Sequence, residues 1–179
     1  MMILVHRGLL TWNYFHPWPA FSLMNQESVL SEFEMLLPLA VAWATEQEQR
    51  ILRDGVALSA EEMGDAHATG VKEVERVRLL PTETIPRPSH PQLRAACDAI
   101  NFLSPATRGL TLRHGIFIRS DCWRERSLIL HELAHVAQYE RFGGMLPFLR
   151  RYLFECLAVG YSASPLQQEA IDIATRVGA

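Results

Sequence analysis

The residues best equipped for chemistry lie in "LILHELAHVAQYERFGG", residues 128–144. On a helix each residue turns by about 100°, so His131 and His135 differ by about 40° and project from one face a single turn apart. Two imidazoles so related can reach one metal ion. Glu132 lies beside that face, where its carboxylate can contact a metal-bound water without being a ligand. This is the physical content of an HExxH pattern, a far more specific signal than two histidines alone. The competing reading is an amphipathic helix in which Leu130, Leu133, Ala134, Val136 and Ala137 pack and both histidines are ordinary half-buried residues. His6, His16, His67 and His90 have no partner at ligand spacing and read as surface or capping residues.

A catalytic zinc needs a third protein ligand and must keep a fourth position for water. Glu140, Glu155 and Glu169 are the downstream candidates, with Asp172 as an outsider. Glu140 follows His135 on the same helix and faces about 140° away from it. Glu155 lies between Phe154 and Cys156 and would serve if its helix returns antiparallel. Glu169 sits one turn into a separately capped helix and is favoured over Glu155, because a rigid, capped helix is the better ligand platform. Asp172 shares the face of Glu169 and could accept a hydrogen bond from the non-ligating nitrogen of either histidine, with plain solvent exposure as the alternative.

The elements that must position these residues follow from periodicity and punctuation. Apolar residues at threes and fours predict a helix over residues 27–53, bent at Pro38. Ser59 and Glu62 form a capping box for a short helix ending at Gly70. Residues 74–86 suit a strand, and "RPSHPQLRAACDAINFL" a proline-led helix. "GLTLRHGIFIRS", residues 109–120, alternates on both sides of His114-Gly115, as a tight hairpin or as one strand with a glycine bulge. Three helices follow, over about residues 123–142, 146–160 and 165–177. The last begins with Ser164 as N-cap, Pro165 at N1 and Gln167 completing a capping box. The fold class expected is α+β: a mostly helical domain with a small antiparallel sheet or hairpin beside the HExxH helix. Residues 1–179 form a single domain, with 1–55 as a helical N-terminal extension and 70–177 as the metal-binding core.

A chain of 179 residues with 49% hydrophobic content can bury one core. The net charge of −3 offers no general attraction for nucleic acid or anionic lipid. Cys97, Cys122 and Cys156 make neither a disulfide framework nor a CxxC zinc pair, which points to a reducing cytoplasm. The apolar runs 35–45 and 145–161 are interrupted by charges, and no membrane span is expected. Trp12, Tyr14, Phe15, Trp18 and Phe21 crowd the N-terminus without forming a signal peptide. They are expected to pack on the domain, with self-association as the alternative.

"HELAH" followed by the glutamate of "QQEA" resembles the gluzincin branch of zinc metallopeptidases. More narrowly, "GLTLRHGIFIRSDCW", "HELAHVAQYERFGG", "FLRRYLFECLAVGY" and "SPLQQEA" resemble small bacterial zincin-like domains related to the core domain of extracellular contractile injection systems. The likeness covers roughly residues 70–175. It implies one Zn²⁺ per chain held by His131, His135 and Glu169, with Glu132 as general base toward a peptide or protein substrate. It also implies that residues 109–119 form a strand edge that pairs with an extended peptide, lined or flanked by Thr111, Arg113, Ile116 and Ile118. The developing oxyanion then needs a donor. Tyr161 is the first choice, ahead of Tyr139 and His114.

A zinc-dependent metallopeptidase is therefore the leading expectation. The alternative is a non-catalytic zinc-stabilised module for peptide binding or assembly, which an intact Glu132 disfavours, because a purely structural site would want a fourth protein ligand in place of water. A DNA-associated HExxH protease ranks last, since no basic patch or zinc ribbon accompanies the motif. The Arg124-Glu125-Arg126 and Arg150-Arg151 runs read as solvated helix faces.

Overall fold

Caps and prolines set most of the helix boundaries. A computed structural model describes residues 23–179, with side chains from residue 27 onward. The N-terminal aromatic run and its suggested packing or self-association lie outside the described residues. The first helix, α1 (Leu23–Asp54), carries Pro38 in its interior. Its buried residues Leu37, Ala44 and Ile51 recur at a heptad spacing, so one stripe faces the core. Over Glu27–Asp54 this helix is long and apolar enough, by length and composition, to cross a membrane. Of its apolar window 17% is buried, and Leu37, Ala44 and Ile51 are among the α1 residues that pack on the core.

After β1 (Val56–Ala57), Ser59 caps α2 (Ala60–Thr69) with the expected box. The Glu62 backbone N–H donates to Ser59 Oγ at 3.2 Å, and the Ser59 N–H donates to Glu62 Oε2 at 2.7 Å. Gly70, at φ +97°, ends the helix in the left-handed conformation that glycine adopts without strain. The expected strand over residues 74–86 is shorter: a helical turn at Val74–Arg76 precedes β2 (Arg78–Thr82). Next come α3 (Pro91–Ala99), β3 (Gly109–Leu112) and β4 (Gly115–Arg119), the last two joined by a tight hairpin in which Arg113 takes φ +58°. The chain ends with α4 (Arg126–Phe142), α5 (Met145–Val159) and α6 (Pro165–Gly178).

The fold is α+β and mostly helical, as expected from the sequence, with one four-stranded sheet in the order β1-β2-β4-β3. The hairpin β3–β4 is antiparallel, with Thr111 opposite Ile116. Unlike the antiparallel sheet expected, β2 and β4 run parallel, because the connection through α3 and β3 returns the chain in the same direction. This corrects the role of the second half of residues 109–119. Ile116 and Ile118 lie on β4 between two neighbouring strands, fully buried, and among the described residues β3 is the edge strand on that side. Alternation along β4 serves two packing faces: Ile116 and Ile118 join Leu79, Leu133 and Val136, whereas Phe117 joins Ile51, Leu110 and Phe148. Helix α4 packs against α2, α6 and β3, and so carries its motif between a helix and a sheet edge.

Candidate metal centre

Two arginines anchor the start of α4. Arg126 makes a bidentate contact with Asp65 of α2, at 2.8 and 2.9 Å, and Arg124 donates to Glu62 Oε2 at 2.7 Å. The run read as a solvated face thus fastens the motif helix to its neighbour. From that anchor α4 turns His131 and His135 toward α6, and Glu132 toward β3.

The imidazoles of His131 and His135 meet edge to face, ring centroids 4.8 Å apart. Between them reaches the side-chain amide of Gln167, from the first turn of α6. His135 Nε2 lies 3.2 Å from Gln167 Oε1, and His131 Nε2 lies 3.2 Å from Gln167 Nε2. Tyr152, on α5, donates its hydroxyl to the same Oε1 at 2.8 Å. On the far side of the ring, His135 Nδ1 is 2.8 Å from Gln138 Oε1. Burial lowers the pKa of His131 to about 3, helped by the charge of His135, and burial likewise lowers that of His135. Both rings are neutral at neutral pH, the form in which imidazole binds a metal.

Neither carboxylate favoured from the sequence joins them. Glu169 accepts two N–H groups of Arg141, both at 2.6 Å, and one from Gln138 Nε2 at 2.9 Å. The guanidinium of Arg141 holds its carboxyl below the usual range. Glu155 accepts Ser164 Oγ at 3.1 Å, the Leu166 backbone N–H at 2.9 Å and Arg151 Nε at 2.5 Å. It therefore caps α6 from α5. Ser164 occupies the N-cap position but makes no side-chain cap of its own, and Gln167, expected to complete a capping box there, turns to the histidines instead. Asp172 is exposed, the alternative raised for it. Among the described residues, no group of three or more His, Cys, Asp or Glu side chains is arranged to hold a metal ion.

Glu132 is 5% exposed and sits against the sheet edge. Thr111 Oγ1 on β3 lies 2.7 Å from its Oε2 and 3.0 Å from its carbonyl oxygen. Gly109 leaves room for the carboxyl: a Cβ there would stand 2.4 Å from Glu132 Oε1. Burial pushes the Glu132 pKa up to about 7, against the lowering effect of Thr111. A cavity of about 460 Å³ opens beside it, with Thr111, Glu132, His135, Tyr152 and Tyr161 on its wall and mostly apolar side chains elsewhere. Burial also raises the Tyr161 phenol to about 12, with the Glu132 charge second, so the hydroxyl keeps its proton. The other donors considered lie elsewhere. Tyr139 packs on Phe148 in the core, with ring centroids 3.8 Å apart, and His114 is buried against Glu140.

Three residues here escaped the reading of the sequence. Gln138 shares a face with His131 and His135 at helical spacing, a signal that was available. Gly109 opens the alternating run, where a strand glycine often marks a close approach. Gln167 had a competing local explanation, and nothing local could decide between the two. No protein-family model, curated protein or solved structure matches the chain.

Proposed function

We propose that the chain is a zinc-dependent, zincin-like peptidase, with His131 and His135 as metal ligands and Glu132 as general base. The observation that carries this reading is the division of labour on α4. Two neutral imidazoles converge on one point, while the adjacent carboxyl is buried against a strand edge and a cavity. Zinc bound at the histidines would supply Lewis-acid polarisation of a peptide carbonyl. Glu132 would take a proton from the attacking water and return it to the leaving amine, held in place by Thr111. The edge of β3, unpaired among the described residues, would accept an extended peptide through backbone hydrogen bonds, and the Tyr161 hydroxyl would face the developing oxyanion.

The amide of Gln167 between the histidines, with Glu169 tied to Arg141, favours a second reading: a zinc-binding module that recognises peptides or partners without cutting them. One experiment separates the two. The purified chain is loaded with zinc, freed of excess metal, and incubated with a diverse peptide library read by mass spectrometry. Cleavage that disappears in Glu132→Gln, with one zinc per chain retained, is the expected result. Bound zinc with no cleavage by the wild type selects the second reading. Full zinc retention in both His131→Ala and His135→Ala removes both.

A further inference from the structure

The hydrogens of the Gln138–His135–Gln167 chain can be placed one after another, and they leave a lone pair of His135 aimed at the Gln167 amide. Gln138 Nε2 lies 2.9 Å from both the Leu166 carbonyl oxygen and Glu169 Oε2, two groups that only accept. That atom is therefore the NH₂, and Gln138 Oε1 must accept from His135 Nδ1 at 2.8 Å. In a neutral ring this leaves His135 Nε2 as a bare lone pair. It points at Gln167 Oε1, 3.2 Å away, which in this orientation of the amide also accepts the Tyr152 hydroxyl. Two lone pairs facing each other cannot form a hydrogen bond. Turning the amide over satisfies the metal-free chain: Gln167 NH₂ then donates to His135 Nε2, and the oxygen accepts the Nε2–H of a neutral His131, so the amide and the two imidazoles stand assembled around one point. A cation where the two Nε2 atoms and the amide oxygen meet satisfies all three at once.

We propose that Gln167 Oε1 is the third protein ligand of the divalent metal, so that His131, His135 and Gln167 form a donor set with no negative charge. This rests on the metal reading of His131 and His135 given above. The consequence is a particular kind of site. A carboxylate at position 167 would be buried among Tyr152, His135 and Leu166, and without a cation it would be costly. The amide is neutral, so the pocket assembles without the metal. Its cation should therefore be held more weakly and exchange more readily than one bound by two imidazoles and a carboxylate. It should also keep more positive charge, which favours an anionic or strongly polar fourth ligand.

The test is zinc affinity of the full-length chain, measured by competition with a chromophoric chelator for the wild type, Gln167→Glu, Gln167→Leu and His131→Ala. Gln167→Glu is expected to bind at least about tenfold tighter, and Gln167→Leu at least about tenfold weaker, with His131→Ala weakest of all. Thermal unfolding should depend on zinc in both proteins, with a larger rise in midpoint between chelator and zinc for Gln167→Glu than for the wild type. If Gln167→Leu does not fold, Gln167→Glu decides alone, because it keeps the shape and changes the charge. Affinities of the two Gln167 variants within about twofold of the wild type, with zinc still lost in His131→Ala, overturn the role of Gln167 and leave the two histidines as ligands. Zinc binding gained only in Gln167→Glu overturns it as well, since the amide would then not ligate. Absence of zinc from every protein, or binding indifferent to His131→Ala, removes the metal reading itself.

Discussion

His135 and His114 are both deeply buried, 7% and 1% exposed, yet they stand in opposite chemical company. His135 is flanked by the amides of Gln138 and Gln167 and the hydroxyl of Tyr152. His114, in the turn between β3 and β4, is surrounded by carboxylates. Its Nε2 is 3.3 Å from Glu140 Oε1 and 3.9 Å from Glu73 Oε2, its Nδ1 is 4.0 Å from Glu48 Oε1, and its backbone N–H donates to Glu48 at 3.3 Å. Glu140 engages the His114 Nε2, while Nδ1 is buried without a hydrogen-bond partner among the described residues. Neutral amides let one nitrogen be fixed as N–H and free the other. Burial alone does not mark a histidine for metal binding; the chemistry of its partners does. His114 instead joins α1, the hairpin and α4 through Glu48 and Glu140.

The sharpest way to break this contrast is to remove each ring in turn. His135→Ala should lower zinc affinity by more than about a hundredfold. His114→Ala should leave zinc affinity unchanged and lower the stability of the metal-free chain by about 3 kcal/mol, through the cavity left by a ring only 1% exposed, while Glu140 keeps the Lys72 and Glu73 backbone N–H groups and Glu48 keeps that of residue 114. Zinc titration and urea unfolding of the two variants check both halves. Loss of zinc from His114→Ala, or an undiminished unfolding midpoint, would end the distinction.

Glu132 carries the next largest effect, and it can be read without metal or substrate. Its pKa rises from 4.5 to about 7 through burial. A folded-state value above the unfolded one means that the stability from the buried neutral carboxyl is complete below pH 4.5 and is lost as the pH climbs through about 7. With chelator present, Glu132→Gln should match the wild type at pH 4 and exceed it by about 3 kcal/mol at pH 8. The depressed values of His131 and His135 act the other way, removing stability as the pH falls below 6.5. They are common to both proteins and cancel in the difference. A difference that does not change between pH 4 and pH 8 would show that the carboxyl is hydrated.

How much of this was readable beforehand depended on whether a residue's partner was local. The helices came from periodicity and caps that act within a few residues, and Ser59 with Glu62 behaved as their spacing predicts. The juxtaposition of His131 and His135 is likewise a property of one helix. What lay hidden was set across elements. Two-residue β1 has no pattern to find, and the parallel pairing of β2 with β4 depends on the route through α3. The destination of Glu169 was decided by Arg141, and that of Glu155 by the N-terminus of α6. Gln167 satisfied a local capping rule on paper, while the three-way approach of α4, α5 and α6 gave its amide a different partner.

Gly109 isolates the glutamate face of α4 from the histidine face most cleanly. A methyl group there would meet Glu132 Oε1 at 2.4 Å, Cδ at 2.8 Å and Cγ at 3.0 Å, all atoms of one side chain. Gly109→Ala should therefore cost about 2 kcal/mol through overpacking. It should also turn the carboxyl away from Thr111 and abolish any Glu132-dependent cleavage. Because the three nearest atoms all belong to that side chain, the same substitution in a Glu132→Ala background should cost much less, so the double-mutant cycle should return a coupling approaching about 2 kcal/mol. The histidines face α6, so zinc affinity should stay at the wild-type level throughout the cycle. Equal costs in both backgrounds would mean that the strain falls on the β3 backbone instead. A fall in zinc affinity would mean that displacing the glutamate also disturbs the histidine ligands.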